Sequence, residues 1–445
     1  MLQPHAPLAD PLSTMADGTV KQINPFSGTE VWTVPGRGHR PLGLAGTDPR
    51  PLDPLEAGRY CAFCECRYHE TPPEKARAVR DGDRWRTLSR IGPETMGASV
   101  AEFRRIPNLF EIVSYDYWHA NYGYTMGPEA DEHRRSYLAH PEGREHVLRV
   151  LYQRWIAAGH TDEQWAALST EDKLAASRGF FGGGHDVIVA RRHYVDGATH
   201  EDQLASSGSL SVREHAQYVD FTVEALADLY AGNRYARYVA VFQNWLKPAG
   251  ASFDHLHKQL VAIDDRGVQT ELELQRLRAN LNLYNEMAVD YAGYHNLVVA
   301  ENEHAVAFAG FGHRYPSLEV YSKSAHCRPW EHTPEERRGM SDLLHACHAA
   351  TGPAVPCNEE WHHQPPDVDL PMPWRIVLKW RVSTLAGFEG GTKIYLNTID
   401  PWNLRDRVVP QLQVLRGQGR IAADIAIATE CACTPNSLRY NPVLR

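Results

Sequence analysis

The sequence predicts an α+β chain of two tandem halves, each with mainly antiparallel sheets flanked by helices, and three observations carry that expectation. An amphipathic segment at residues 211–230 lies between strand-like runs and does not alternate with them one for one. No Gly-x-Gly-x-x-Gly follows a strand, which argues against a regular parallel nucleotide-binding sheet. The order of strands, helix and closing strands recurs weakly in the second half of the 445 residues, so a duplicated unit is the economical reading.

Taken in order, residues 1–19 are rich in Pro, Ala and Asp and read as a mobile tail. After the turn-forming Asn24-Pro25-Phe26-Ser27-Gly28, Val31-Trp32-Thr33-Val34 reads as the first strand. Residues 106–115 and 185–190 read as further strands. Between them, 131–178 is a charged stretch with apolar residues at helical spacing (Val147, Val150, Leu151, Trp155, then Trp165 and Leu168), expected to be a helical insertion packed on the body. Ser211-Val212-Arg213-Glu214 is a capping box opening the amphipathic helix. Residues 238–242 and 255–263 are apolar strands joined by a glycine-containing loop, and they close a first half spanning 20–263. In a second half, 264–430, residues 296–300 and 318–321 read as strands, and 333–350 as a helix with its own Thr333-Pro334-Glu335-Glu336 start. Residues 374–382 and 393–397 read as closing strands, and 431–445 as a C-terminal tail.

Composition narrows the function classes. With 43% hydrophobic and 23% charged residues the chain is that of a soluble globular protein, and no apolar run reaches the about 18 residues a membrane span needs. The opening Met1-Leu2-Gln3-Pro4-His5-Ala6-Pro7-Leu8 lacks the basic start and apolar stretch of a secretory signal, so a cytoplasmic protein is expected. Eight cysteines in so long a chain make no disulfide framework, and a Cys-x-x-Cys in a reducing compartment reads as metal or redox chemistry. A formal charge of −9 argues against non-specific binding to nucleic acid or anionic membrane, yet leaves room for a small phosphorylated ligand in a locally basic site.

The chemistry concentrates in His255-Leu256-His257-Lys258-Gln259. On a strand, His255, His257 and Gln259 share one face while Leu256 and Lys258 share the other. An imidazole can attack phosphorus, a second can bind a metal, and a carboxamide can donate to a phosphate oxygen without becoming an acid. A hydrogen-bonded histidine pair is the plain alternative, since the chain has 23 histidines. For a tetrahedral structural zinc, Cys61 and Cys64 supply one pair of ligands, with His255 and His185 as candidates for the other pair; Cys66 and His69 are rivals, and free buried thiols the alternative. In a nucleotidyl transfer His257 would be the nucleophile, Gln259 would hold a phosphate oxygen, and Gly250, Ala251 and Ser252 could bring N–H groups and a hydroxyl to an anion. Glutamine in place of a third histidine favours transfer to a second acceptor over hydrolysis. Lys258 points away from the reacting face and is expected to affect packing or an interface first.

Together these motifs resemble the galactose-1-phosphate uridylyltransferases of the histidine-triad superfamily over most of the chain. The similar segments are residues 24–32 followed by 37–41, Cys61-Ala62-Phe63-Cys64 with Thr71-Pro72-Pro73-Glu74, Ile106-Pro107-Asn108-Leu109-Phe110, Gly184-His185-Asp186-Val187, the His-x-His-x-Gln run with Asn244 and Gly250-Ala251-Ser252 before it, and Gly387-Phe388-Glu389. The resemblance implies two histidine-triad-like halves, one zinc held by Cys61, Cys64, His185 and His255, and a ping-pong reaction through a nucleotidyl-His257. It also implies that Gln259 and Ser252 stabilise phosphoryl charge, that Asn108, Asn244 and Gly250 bind the nucleotide, and that Glu389 binds an acceptor hydroxyl. A nucleotide sugar and a sugar phosphate as substrates, and a homodimer, follow from the same resemblance. Related enzymes with this core phosphorolyse ADP-glucose or dinucleoside polyphosphates, which is the alternative activity, and a catalytically idle nucleotide-binding fold is a third. Pro373-Trp374-Arg375 stands where the second half of the family often has His-x-His for an iron, so one metal is expected, not two.

Overall fold

The computed structural model describes residues 10–36, 48–82, 84–383 and 386–444; residues 37–41 of the resemblance lie outside them. Among the described residues the strands are β1 (Leu12–Thr14), β2 (Val20–Ile23), β3 (Glu30–Thr33), β4 (Ala76–Asp81), β5 (Arg84–Ser89), β6 (Ala101–Pro107), β7 (His185–Ala190), β8 (Tyr238–Trp245), β9 (His257–Ile263), β10 (Val298–Glu301), β11 (Ala305–Gly310), β12 (Ser317–Ser322), β13 (Cys357–His362), β14 (Arg375–Trp380), β15 (Ile394–Asn397) and β16 (Ala426–Ile427). The fold is α+β with mainly antiparallel sheets. A twelve-stranded sheet runs β16-β10-β11-β12-β14-β13-β8-β9-β7-β6-β4-β5, and a four-stranded sheet runs β1-β2-β3-β15 with β3 and β15 parallel. Outward from the central β8–β13 pair, one side reads β9, β7, β6 and the other β14, β12, β11, so the chain takes the same steps on both sides.

One face of the large sheet is covered by the helices Val212–Gly232 and Pro334–Thr351. Both start on the expected capping boxes, Ser211 with Glu214 and Thr333 with Glu336, whose side chains satisfy N–H groups that the first turn leaves free. Strand β8 alternates as a half-covered strand must: Val239, Val241, Gln243 and Trp245 are buried, while Ala240, Phe242 and Asn244 are half-buried. One apolar core runs through both sides of the sheet, and the insertion, helices Pro128–Ala139, Pro141–Ala157 and Arg178–Gly182 among them, carries a small core of its own around Tyr137, Val147, Val150, Leu151 and Phe180.

The termini depart from the sequence reading. Residues 12–14, expected in a mobile tail, pair with β2, and Leu12 is buried. Val31-Trp32-Thr33 therefore lies in the third strand. Leu438 and Tyr440, expected in a C-terminal tail, are buried too; the Tyr440 hydroxyl donates to the Leu281 carbonyl oxygen. The strand expected over 106–115 stops at Pro107. Asn108 Oδ1 accepts from the Phe110 N–H, turning the chain, and Ser114 then caps the helix Tyr115–Tyr122.

Candidate active site and metal centre

Cys61 and Cys64 stand on a tight turn closed by the Cys64 N–H donating to the Cys61 carbonyl oxygen. Their sulfurs are 3.9 Å apart. The Nδ1 atoms of His193 and His255 lie 3.5 and 3.4 Å from Cys61 Sγ, and 3.5 and 3.8 Å from Cys64 Sγ. Four ligands around one ion at about 2.3 Å for sulfur and about 2.05 Å for nitrogen would form a tetrahedron with edges of about 3.3–3.8 Å, so this donor set fits a tetrahedral ion. The Nε2–H of His255 donates to the Ala190 carbonyl oxygen at 2.6 Å, which leaves Nδ1 bare toward the sulfurs. The contact between the two sulfurs pushes Cys61 up and Cys64 down.

The fourth member is His193, not His185. Strand register gives the reason. β7 and β9 are antiparallel with Val189 opposite His257 and His185 opposite Val261. Val261 is six residues past His255, about 20 Å of extended chain, whereas the segment just after Ala190 emerges beside His255. The usable signal was thus the pairing of the two strands, which puts the second histidine ligand downstream of β7. The rivals also stay out: Cys66 is exposed, and the His69 ring sits edge-on to His146.

The strand expected from 255 begins at His257, which is buried at 5% exposure with its ring against Phe63. Its Nδ1–H donates to the His255 carbonyl oxygen at 2.7 Å, so Nε2 holds a free lone pair. Burial pushes the ring down to about 4 against the opposing hydrogen bond to the His255 carbonyl, which keeps it neutral at neutral pH. Two carboxamides flank this strand. The Oε1 of Gln259 lies 3.0 Å from His185 Nε2 and accepts from Asn108 Nδ2 at 3.3 Å. The Oδ1 of Asn244 accepts from Asn358 Nδ2 at 2.7 Å. That orientation is forced, because Asn358 Nδ2 also donates to the Ala249 carbonyl oxygen and its Oδ1 accepts from Arg381 Nη1. Both amides therefore spend their oxygens on the protein and keep N–H groups for a ligand.

Gln259 lies opposite Phe242, and Phe242 opposite Glu360, so the three share the sheet face of His257. A cavity of about 530 Å³ opens on that face, lined by Phe242, Asn244, Asn358, Glu360, His362 and Arg381 among others. Gly250 makes the turn before β9 at φ +90°, a conformation that suits glycine, and the exposed Ser252 follows it. Glu389 is not brought to this group by any described contact; its carboxylate accepts from the Ala386 N–H at the start of its own helix, Gly387–Thr392, which leads into β15. Asn358 and Arg381, like His193, are residues that sequence reasoning missed, and β13, which carries Asn358, was not read as a strand.

On the covered face, Lys258 is fully buried, donates to Glu359 Oε1 and lies over the rings of Tyr218 and Trp361 at 4.8 and 4.9 Å. Glu359 also accepts from Trp361 Nε1 at 2.5 Å and pairs with His348 Nε2 at 2.7 Å. In the second half Arg375, where the family's extra histidines would stand, is ion-paired with Glu273 at 2.6 Å.

The chain is 24% identical over 263 residues to ADP-glucose phosphorylase of Arabidopsis thaliana, covering 57% of this chain and 71% of that protein. The crystal structure of that plant's ADP-glucose phosphorylase with bound ADP-glucose matches 88% of this chain and 98% of its own, at TM-score 0.55 and 19% identity. A galt-like protein from Arabidopsis thaliana matches 87% of this chain and 98% of its own, at TM-score 0.55 and 18% identity. These likenesses establish a shared galt-like fold. Since the family described as a domain of unknown function (DUF4921) matches residues 15–440, the chain belongs to that family.

Proposed function

We propose that the protein is a nucleotidyltransferase that takes a nucleoside monophosphate from a nucleotide sugar onto His257 and passes it to a second phosphate-bearing acceptor. The observation that carries this reading is the hydrogen bond from His257 Nδ1–H to the His255 carbonyl oxygen, which leaves Nε2 bare on the face where Gln259 and Asn244 present N–H groups. In the first step the Nε2 lone pair forms a P–N bond to the α-phosphorus, and the P–O bond to the leaving sugar 1-phosphate breaks with its electrons on that oxygen. In the second, an acceptor phosphate oxygen forms the new P–O bond and the P–N bond electrons return to Nε2. N–H groups of Gln259 and Asn244 stabilise charge on the non-bridging oxygens, Ser252 adds a hydroxyl, and Asn108 and Gly250 complete the nucleotide side. Glu389 would bind an acceptor hydroxyl.

Cys61, Cys64, His193 and His255 would hold one structural zinc, which ties the Cys-x-x-Cys turn to the start of the reactive strand. The likeness to ADP-glucose phosphorylase favours ADP-glucose as donor and phosphate as acceptor over a UDP-sugar with a sugar 1-phosphate. No described helix is long and apolar enough to cross a membrane, in keeping with a cytoplasmic setting, and the family resemblance favours a homodimer. Incubation with a panel of nucleotide sugars followed by intact-mass measurement tests the reading. An AMP adduct from ADP-glucose, absent in His257→Ala, is expected; a UMP adduct selects the uridylyl route. No adduct with any donor, or an equal adduct on His257→Ala, overturns it.

A further inference from the structure

We infer that His185, freed from the metal, is a positioning residue that fixes the amide of Gln259 with its N–H groups toward the reacting phosphate. This rests on the transfer reading above. The inference starts from main-chain atoms whose roles cannot be exchanged. The Ile112 N–H can only donate, and its partner at 3.2 Å is His185 Nδ1, so that nitrogen is bare and the ring proton sits on Nε2. Nε2–H points at Gln259 Oε1, 3.0 Å away. On the other side the Phe110 N–H donates to Asn108 Oδ1 at 2.9 Å, which assigns Asn108 Nδ2 as the donor to the same glutamine oxygen. Two donors, each pinned by a backbone N–H of the 108–112 turn, converge on one acceptor, and with Nε2 protonated the 3.0 Å approach of Asn108 Nδ2 to His185 Nε2 is a donor–donor contact that the shared glutamine oxygen offsets.

A glutamine without such partners can present either end, and its carbonyl end would repel a phosphate oxygen. Here the reversed amide would set N–H against N–H twice, in a site where His185 is 1% exposed. His185 and Gln259 are diagonal neighbours across the β7–β9 pair, with His185 opposite Val261 and Val187 opposite Gln259, so a rigid ladder holds the contact. Burial keeps the ring below the ordinary histidine range, and hence neutral, as this donor-acceptor arrangement requires.

Single-turnover formation of the nucleotidyl-enzyme tests the role. His185→Phe should slow adduct formation about 100-fold, as removal of one transition-state donor does, with nucleotide KM changed less than about threefold and the metal retained. Gln259→Ala should cost a similar factor, and the double variant should be no slower than Gln259→Ala, because His185 acts only through the glutamine. Multiplied losses in the double variant, or loss of metal from His185→Phe, overturn the inference. The 15N spectrum of the wild-type His185 ring, assigned by its absence in the variant, must show a bare Nδ1 and a protonated Nε2; the opposite tautomer overturns it as well. That measurement does not depend on turnover, so failure of every donor to label His257 would remove the transfer reading while the tautomer still decides the positioning claim.

Discussion

His255 and His257 are two residues apart, and the main-chain oxygen each ring meets decides its work. His255 gives its Nε2 proton to the Ala190 carbonyl and offers Nδ1 to the sulfurs; His257 gives its Nδ1 proton to the His255 carbonyl and offers Nε2 to the open face. The tautomers are opposite, so the rings cannot trade roles. For the metal this predicts that His193→Ala and Cys61→Ser each lower the content from about one ion per chain toward none, with a lower melting temperature, while Cys66→Ser retains it. Elemental analysis beside a thermal scan checks the three variants. The histidine pair, the cysteine pair and the glutamine were legible in the sequence as short motifs: Cys-x-x-Cys closes a turn, and the two-residue spacing puts His257 and Gln259 on one face of β9. His193 was not: its place follows from which residue of β7 lies opposite His257, and a single sequence does not state register.

At the scale of elements, Lys258 and Glu359 join the reactive strand to β13, and His348 ties both to the helix Pro334–Thr351. Burial alone would raise the Glu359 carboxyl, but Lys258 and His348 outweigh it and hold it well below the usual carboxylate range. Burial pushes Lys258 down while Glu359 opposes, so the pair adds little net stability as a unit even though each partner needs the other. Glu359→Ala should therefore cost about 3–5 kcal/mol in urea unfolding, and the double change Lys258→Met, Glu359→Leu should recover most of that. Because the folded pKa is depressed, the contribution of Glu359 is fully present above the unfolded value of about 4.3, begins to fall below it, and is gone only when pH drops through the depressed folded value. The gap in urea midpoint between wild type and Glu359→Gln should therefore be narrower at about pH 3 than at about pH 7 without closing, since pH 3 still lies above the depressed folded value. The same pairing explains what the sequence hid. β13, Cys-Asn-Glu-Glu-Trp-His, reads as too polar for a central strand because its buried charge is cancelled by a lysine about a hundred positions away, and β4 conceals Arg77 in the same manner by pairing it with Glu74 at 2.7 Å. Capping boxes, being local, were legible to the residue.

Across the whole molecule, the half that carries His-x-His and the half without it share one sheet, joined where β8 lies beside β13. The repeated strand order on either side of that pair fits the expected duplicated unit, and in the proposed reaction the second unit acts on the first through Asn358. Asn358, opposite Asn244 in the ladder, is held by Arg381 and the Ala249 carbonyl and so dictates which end of Asn244 faces the ligand. Asn358→Asp keeps the shape but puts carboxylate oxygens against Asn244 Oδ1 and the Ala249 carbonyl. Either Asn244 turns over and aims its oxygen at the phosphate, or the contact opens. In both cases one N–H donor is lost from the transition state, and nucleotidyl-His257 formation should slow by about 10²-fold. Asn244→Ala should slow it by a similar factor, and adding Asn358→Asp to Asn244→Ala should cost little more, since nothing remains for Asn358 to orient. Rapid-quench measurement of the adduct in the three variants decides it: a full, independent loss in the double variant would mean that Asn358 meets the substrate itself through the cavity it lines, and that the second half binds the ligand directly and does not act only by aiming the first.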